Sequence, residues 1–197
     1  MNRKFFLAPG LSNLNLLILT VVISLLFASP LFASGKAEEA KKTYRIPEIE
    51  DKIKIDGALN EEAWAKALKV VADIEIMPGE NIEAPAKTEC LLFYDRHNLY
   101  IGFIAHDQEP DKIRAFYNDR DNCWQDDLVG IILDTFNDEN RAFAFFINPL
   151  GIQGDEIMSL GGQQEDPSWD AIWNSAARIT GSGYEVEIAI PFSSLQF

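Results

Sequence analysis

From residue 43 onward the apolar positions recur mostly at every second place, the spacing of strands with one buried face. Residues 52–57 alternate Lys and Ile and end in Asp56-Gly57, which predicts a short strand closed by a turn. Asn60 is placed to cap a short helix with Glu61 and Glu62 in its first turn, and Ala63, Trp64, Ala67 and Leu68 share one face of it. Strand then dominates. Residues 70–76 form one run, 77–85 read as a loop, and 88–94 lead into the polar turn 95–98. Leu99, Ile101, Phe103 and Ala105 follow with period two. Residues 110–124 are polar and mixed, with one helical turn around Ile113. The run 128–133 is apolar on both faces, as expected of a central strand. Phe143, Phe145 and Ile147 alternate up to Asn148-Pro149, where pairing must stop. A weaker strand at 152–159 precedes a loop at 160–170. Residues 173–180, a Gly-rich turn and Tyr184, Val186, Ile188 and Ile190 complete the pattern, with Glu185 and Glu187 on the polar side. Short strands broken by turns, with one helix, predict an all-β antiparallel sandwich rather than a parallel α/β fold.

The N-terminus has a different character. Arg3 and Lys4 precede an apolar run at residues 16–27, and the small residues Ala33, Ser34 and Gly35 follow. This is the layout of a signal peptide over residues 1–35, with a flexible leader at 36–42 and one domain at 43–197. The expectation is an exported protein, periplasmic or associated with the outer membrane. Removing residues 1–35 takes two positive charges and no acids, so the formal net charge moves from −14 to −16. Such a surface repels nucleic acid and anionic lipid and suits neutral ligands or cations. Cys90 and Cys123 would meet in an oxidising compartment, where a disulfide and two separate thiols are both compatible with the sequence.

Several longer words in the chain carry a resemblance. They are Ile55-Asp56-Gly57 with Trp64 and Ala65, Tyr94-Asp95, residues 99–103, Arg120-Asp121, Asp126-Asp127 and Asp134-Thr135-Phe136. They continue with residues 143–151, Gln153, Asp155, Trp169-Asp170-Ala171, Trp173 and residues 187–195. In this order they resemble the carbohydrate-binding module family 9-like domains of bacterial exported proteins, especially those placed ahead of an outer-membrane-type β-barrel. The resemblance implies a β-sandwich that binds a poly- or oligosaccharide without catalysis, in glycoside hydrolase-associated breakdown or uptake. The larger relatives continue into their barrel where this sequence stops at Phe197. A free-standing module and the front part of a longer protein both fit.

Sugar recognition needs a flat apolar surface for the pyranose C–H face and planar polar groups for the hydroxyls. The chain has four Trp residues. Trp64 lies on the helix's apolar face and is read as core, while Trp124 and Trp169 sit in polar loops and Trp173 opens a strand. The resemblance implies an aromatic pair around a sugar ring, and Trp124 with Trp169 is the expected pair. Arg120 and Asp126 are expected to hydrogen-bond hydroxyls, and Gln153 to reach the binding face. Asp119, Asp121 and Asp127 are candidate ligands of a structural calcium ion, which the resemblance makes plausible; their spacing is not that of an EF-hand. Glu165, Asp166 and Asp170 form a second acidic cluster. No motif of an acyl-transfer triad is present, and no carboxyl pair is singled out for glycoside hydrolysis, so no catalytic residue and no organic cofactor is expected. Two other functions fit the pattern: a sugar-free sensor or plug domain for a barrel partner, and a haem-b electron carrier using Met77 or Met158 with His97 or His106.

Overall fold

The alternating pattern resolves into two antiparallel sheets in a computed structural model that describes residues 43–159, 165–166 and 168–196. The expected signal peptide and leader lie outside the described residues. In chain order the strands are β1 (Leu68–Glu75), β2 (Ile82–Tyr94), β3 (Asn98–His106), β4 (Val129–Leu133), β5 (Arg141–Ile147), β6 (Gln153–Ser159), β7 (Glu165–Asp166), β8 (Asn174–Thr180) and β9 (Gly183–Pro191). One sheet runs β1-β2-β3-β9-β8 and the other β4-β5-β6-β7.

The main core lies between the sheets. Leu99, Ile101, Phe103 and Ala105 of β3 and Tyr184, Val186, Ile188 and Ile190 of β9 meet Val129 of β4 and Phe143, Phe145 and Ile147 of β5. All three expected period-two sets are therefore buried. The five-stranded sheet is also covered on its other face, where Leu91, Phe93, Tyr100 and Ala189 pack with Trp64, Ala63 and Ile49. Phe93 lies stacked on Tyr100 with centroids 4.7 Å apart and receives the edge of Trp64 at 4.9 Å. Aromatic pairs in these arrangements add about 0.5–1.5 kcal/mol beyond their area burial.

Five expectations change. Residues 52–57 form no strand, because the amides of Asp56 and Gly57 turn to the carboxylate of Glu187 instead of a ladder partner. The helix α1 (Glu62–Lys66) is one short turn with Glu61 at its N-cap and no side-chain cap, so Asn60 does not cap it. The loop after β1 is shorter than expected, since residues 82–85 already belong to β2. The β1–β2 register slips between Ala72 and Ile74, leaving Pro85 opposite the irregularity where no amide is needed. Finally, β4 is an edge strand rather than a central one, with Ile132 facing outward at 48% exposure. Glu187, expected on the polar side of β9, is fully buried.

Candidate functional site

Two segments without regular structure, residues 114–127 and 168–173, meet the start of β6 and build the polar centre of the molecule. Arg120 is its hub. Its guanidinium donates to Gln153 Oε1 at 2.5 Å, to the carbonyl of Ala171 at 2.9 Å, and to Asp155 in an ion pair. Asp170 lies 3.2 Å and Asp121 3.8 Å from its Nε. Asp155 is fully buried, with its second oxygen accepting the amide of Ala171 at 2.6 Å. Burial pushes the Asp155 carboxyl above its ordinary range, against the Ala171 amide and the Arg120 charge, which pull it down. Gln153 donates from its other end to the Trp173 carbonyl at 3.3 Å and to Ser175 Oγ at 2.8 Å.

The same strand start holds the loop that carries Trp124. The Asp121 amide donates to the Gln153 carbonyl, and the Asp155 amide donates to Asp121 Oδ1. Between them Gly154 presents a bare Cα; a Cβ there would stand 3.1 Å from Cys123 Sγ and 3.2 Å from the Trp124 ring. The indole therefore lies directly over the strand backbone, with Phe146 edge-on at 5.5 Å. Further along, Asn148 is a second hub. Its side-chain amide donates to the Phe116 carbonyl and to Asp126 Oδ2, and its oxygen accepts from the amides of Leu150 and Ile152. Asp127 takes the Arg114 amide at 2.9 Å. These bonds fix a cleft of about 240 Å³ lined by Arg114, Phe116, Asn118, Asn122, Trp124 and Gln125 with Asp126.

The expected residues separate by exposure. Trp124 is 42% exposed beside that cleft. Trp169 is half-buried against Phe143 and Phe145, with centroids at 4.9 and 5.8 Å. Trp173 is buried, packs edge-on to Phe145 and lies under the Arg120 guanidinium. Arg120, Gln153, Trp169 and Trp173 thus converge on one cluster, and Trp124 and Asp126 line the adjoining cleft. Asn148, just past the end of β5, and Asp155, near the start of β6, hold the polar loops through these bonds; the sequence pattern marks Asn148-Pro149 only as the point where a strand ends.

Among the described residues one group of acids can hold a metal ion: Asp121, Asp155 and Asp170, whose carboxylate oxygens lie within 4.8 Å of one another. Asp121 was an expected ligand, whereas Asp119 and Asp127 do not join the group. Hard carboxylate oxygens fit a calcium ion, but the Arg120 guanidinium already sits among all three. Asp166 is engaged by Ser168. The two cysteines are free thiols, Cys123 buried and Cys90 half-buried, with burial pushing the Cys90 thiol up to about 12. Of the residues considered for haem, Met77 is exposed in the β1–β2 turn, while His97 and His106 lie at opposite ends of β3.

Comparison with known proteins agrees with this architecture. The endo-1,4-beta-xylanase C of Paenibacillus barcinonensis is 23% identical over 159 residues, and exoglucanase XynX of Acetivibrio thermocellus 25% over 162. These stretches cover 81% and 82% of this chain and 13% of each enzyme, so the chain spans about an eighth of the curated relatives it matches. Among solved structures, a Bacteroides uniformis protein has a TM-score of 0.59 at 10% identity, covering 76% of this chain and 72% of its own. A family 9 carbohydrate-binding module of Caldicellulosiruptor kristjanssonii, solved with glucose, gives 0.52 at 16% identity, covering 76% and 71%. A family 9 carbohydrate-binding module of the same organism, solved with cellotriose, gives 0.51 at 16% identity, covering 74% and 65%. The model of the family described as carbohydrate family 9 binding domain-like matches residues 55–197, nearly three quarters of the sequence. The chain belongs to the carbohydrate family 9 binding domain-like family.

Proposed function

We propose that this domain is a non-catalytic carbohydrate-binding module whose sugar rests on Trp124. The carrying observation is the placement of that indole: partly exposed, braced from below by Gly154 and Phe146, and bordered by the amides of Asn118, Asn122 and Gln125. An apolar face beside planar hydrogen-bonding groups is the pairing a pyranose requires. Arg120, with Gln153 and Trp173, holds the loop beneath the platform, Trp169 packs into the core on Phe143 and Phe145, and Asp126 shapes the cleft through Asn148 and the Phe116 amide. The pattern of residues 1–35 supports export, and the family supports service to polysaccharide breakdown or oligosaccharide uptake, with an outer-membrane barrel as the partner that the larger relatives carry. The position of Arg120 supports an Asp121–Asp155–Asp170 group closed by the guanidinium rather than by calcium, so a chelator leaves the melting temperature unchanged.

Titration calorimetry with glucose, cello-oligosaccharides and xylo-oligosaccharides tests the reading, with tryptophan fluorescence as a second readout. Saturable binding that shifts the emission and disappears in Trp124→Ala is expected. A folded protein that binds none of a broad panel of neutral glycans contradicts it and favours the sensor or plug role.

A further inference from the structure

Three arginines of the sandwich are closed by carboxylates: Arg96 by Glu50, Arg120 by Asp155 and its neighbours, and Arg178 by Glu185. Arg114 is different. Among the described residues its guanidinium forms no ion pair, and its side chain makes one hydrogen bond, to Gln125 Oε1 at 3.5 Å, the outer limit of such a contact. Its backbone is nevertheless fixed at both ends, since its amide donates to Asp127 Oδ2 at 2.9 Å and its carbonyl accepts the Asp127 amide at 2.8 Å. The position is built, and the charge is left open.

That charge stands in the wall of the cleft beside Trp124, with Phe116, Asn118, Asn122, Gln125 and Asp126. Asp126 is the one acid of this lining, and its Oδ2 already accepts the Phe116 amide and the Asn148 side chain. The cleft thus sets an uncommitted cation against a carboxylate that is engaged. The formal net charge of −14 repels anions at long range, but exposed charges more than about 8–10 Å away are screened at physiological salt, so the local contact decides.

We infer, with the sugar reading of Trp124 as premise, that the cleft selects a uronic acid residue whose carboxylate pairs with Arg114. A pyranose lying on an indole keeps a C–H face down and its substituents around the rim, so a carboxylate on C5 meets the wall rather than the floor. The guanidinium fork matches the two coplanar oxygens of a carboxylate. The amides of Asn118, Asn122 and Gln125 are left for the ring hydroxyls. At about 240 Å³ the cleft is smaller than the roughly 300–1,000 Å³ usual for drug-sized ligands, which suits one such ring, terminal or on a branch, with the rest of the chain outside.

Calorimetry on the 197-residue chain tests this, using a glucuronic acid-substituted xylo-oligosaccharide and the same compound reduced at its carboxyl to the neutral alcohol. The acid is expected to bind about tenfold more tightly than its reduced form, the gain of a charge-assisted over a neutral hydrogen bond. Arg114→Gln, which keeps the backbone bonds to Asp127, is expected to bring the two affinities together, and Arg114→Lys to keep part of the difference. Equal binding of the acid and its reduced form would overturn the inference and leave the sugar reading standing. So would a preference for the acid that survives in Arg114→Gln, or a sulfate ester of the same oligosaccharide binding as tightly as the uronate. A folded chain that binds neither form overturns both.

Discussion

Among the described residues two carboxylates are fully buried, and they are held in different ways. Glu187 on β9 faces the helix side of the five-stranded sheet and is met only by neutral donors. Its Oε2 accepts the amides of Asp56 and Gly57, each at 2.7 Å, and its Oε1 accepts Trp64 Nε1 at 2.9 Å. Asp155 on β6 is met by a guanidinium that is itself one third exposed and ion-paired to two further acids. The first arrangement closes the N-terminal segment onto the sheet. The second is a charged joint under the loop that carries Trp124. The difference separates a structural clasp from a support for binding: disturbing Glu187 should lower stability alone, whereas disturbing Arg120 should lower both stability and sugar affinity.

The largest effect is expected from Arg120→Met, which leaves Asp155 buried without its partner and should cost about 3–5 kcal/mol in denaturant unfolding at neutral pH. The cost should shrink in acid, where Asp155 can take up a proton. Sugar affinity should fall with it, because the Arg120 bonds to Gln153 and Ala171 join the two loops. If Arg120→Met keeps full affinity in the folded fraction, the charged joint is not a support for the platform.

Glu187→Gln comes next. It replaces one acceptor oxygen by an NH₂ group facing N–H donors, and about 2 kcal/mol of stability should be lost. Sugar affinity should be unchanged in calorimetry; a loss would merge the two regions that the comparison separates.

Both carboxyls also leave a pH signature. Burial raises each above its ordinary value, 4.5 for the glutamate and 3.8 for the aspartate. The folded state then holds these protons more tightly than the unfolded state. Their contribution is fully present below the ordinary values and is lost as pH climbs through the raised ones. Glu187→Gln should therefore flatten the decline in unfolding free energy that begins above about pH 4.5.

The smallest effect belongs to Gly154→Ala. The new methyl presses on Cys123 and the Trp124 ring, which must shift by a few tenths of an ångström. Affinity should weaken by about threefold to tenfold with little change in melting temperature, roughly 1 kcal/mol at the site. An unchanged affinity would mean that the sugar does not sense the height of the indole.

The sandwich was legible in the sequence because the inner faces of β3, β5 and β9 keep strict alternation, and hydrophobic burial acts on that period directly. The run in β4 was misplaced for a physical reason: an apolar strand over an open groove reads like one buried on both faces. Glu187 was misread because alternation assigns it to a solvent face, and nothing local reveals that Trp64 and the Asp56-Gly57 amides, more than a hundred residues away, cover it. Gly57 is the trace they leave, at φ +86° with the Ala177 backbone 3.0 Å from where a Cβ would stand. The site divides similarly. Trp124 could be picked out as a large indole in a polar loop, but the burial of Trp173 against Phe145 and the closure of three aspartates around Arg120 depend on contacts across loops that no spacing encodes.

In the proposed function Trp124 forms the sugar platform, and the buried cluster beneath it only supports. The most direct measurement is calorimetric affinity for cello- and xylo-oligosaccharides in Trp124→Ala, alongside its melting curve. The expected result is a cooperative melt near that of the unaltered protein and binding weakened by at least about a hundredfold, roughly 3 kcal/mol. A folded Trp124→Ala that retains full affinity would contradict it and move the sugar site elsewhere on the sandwich.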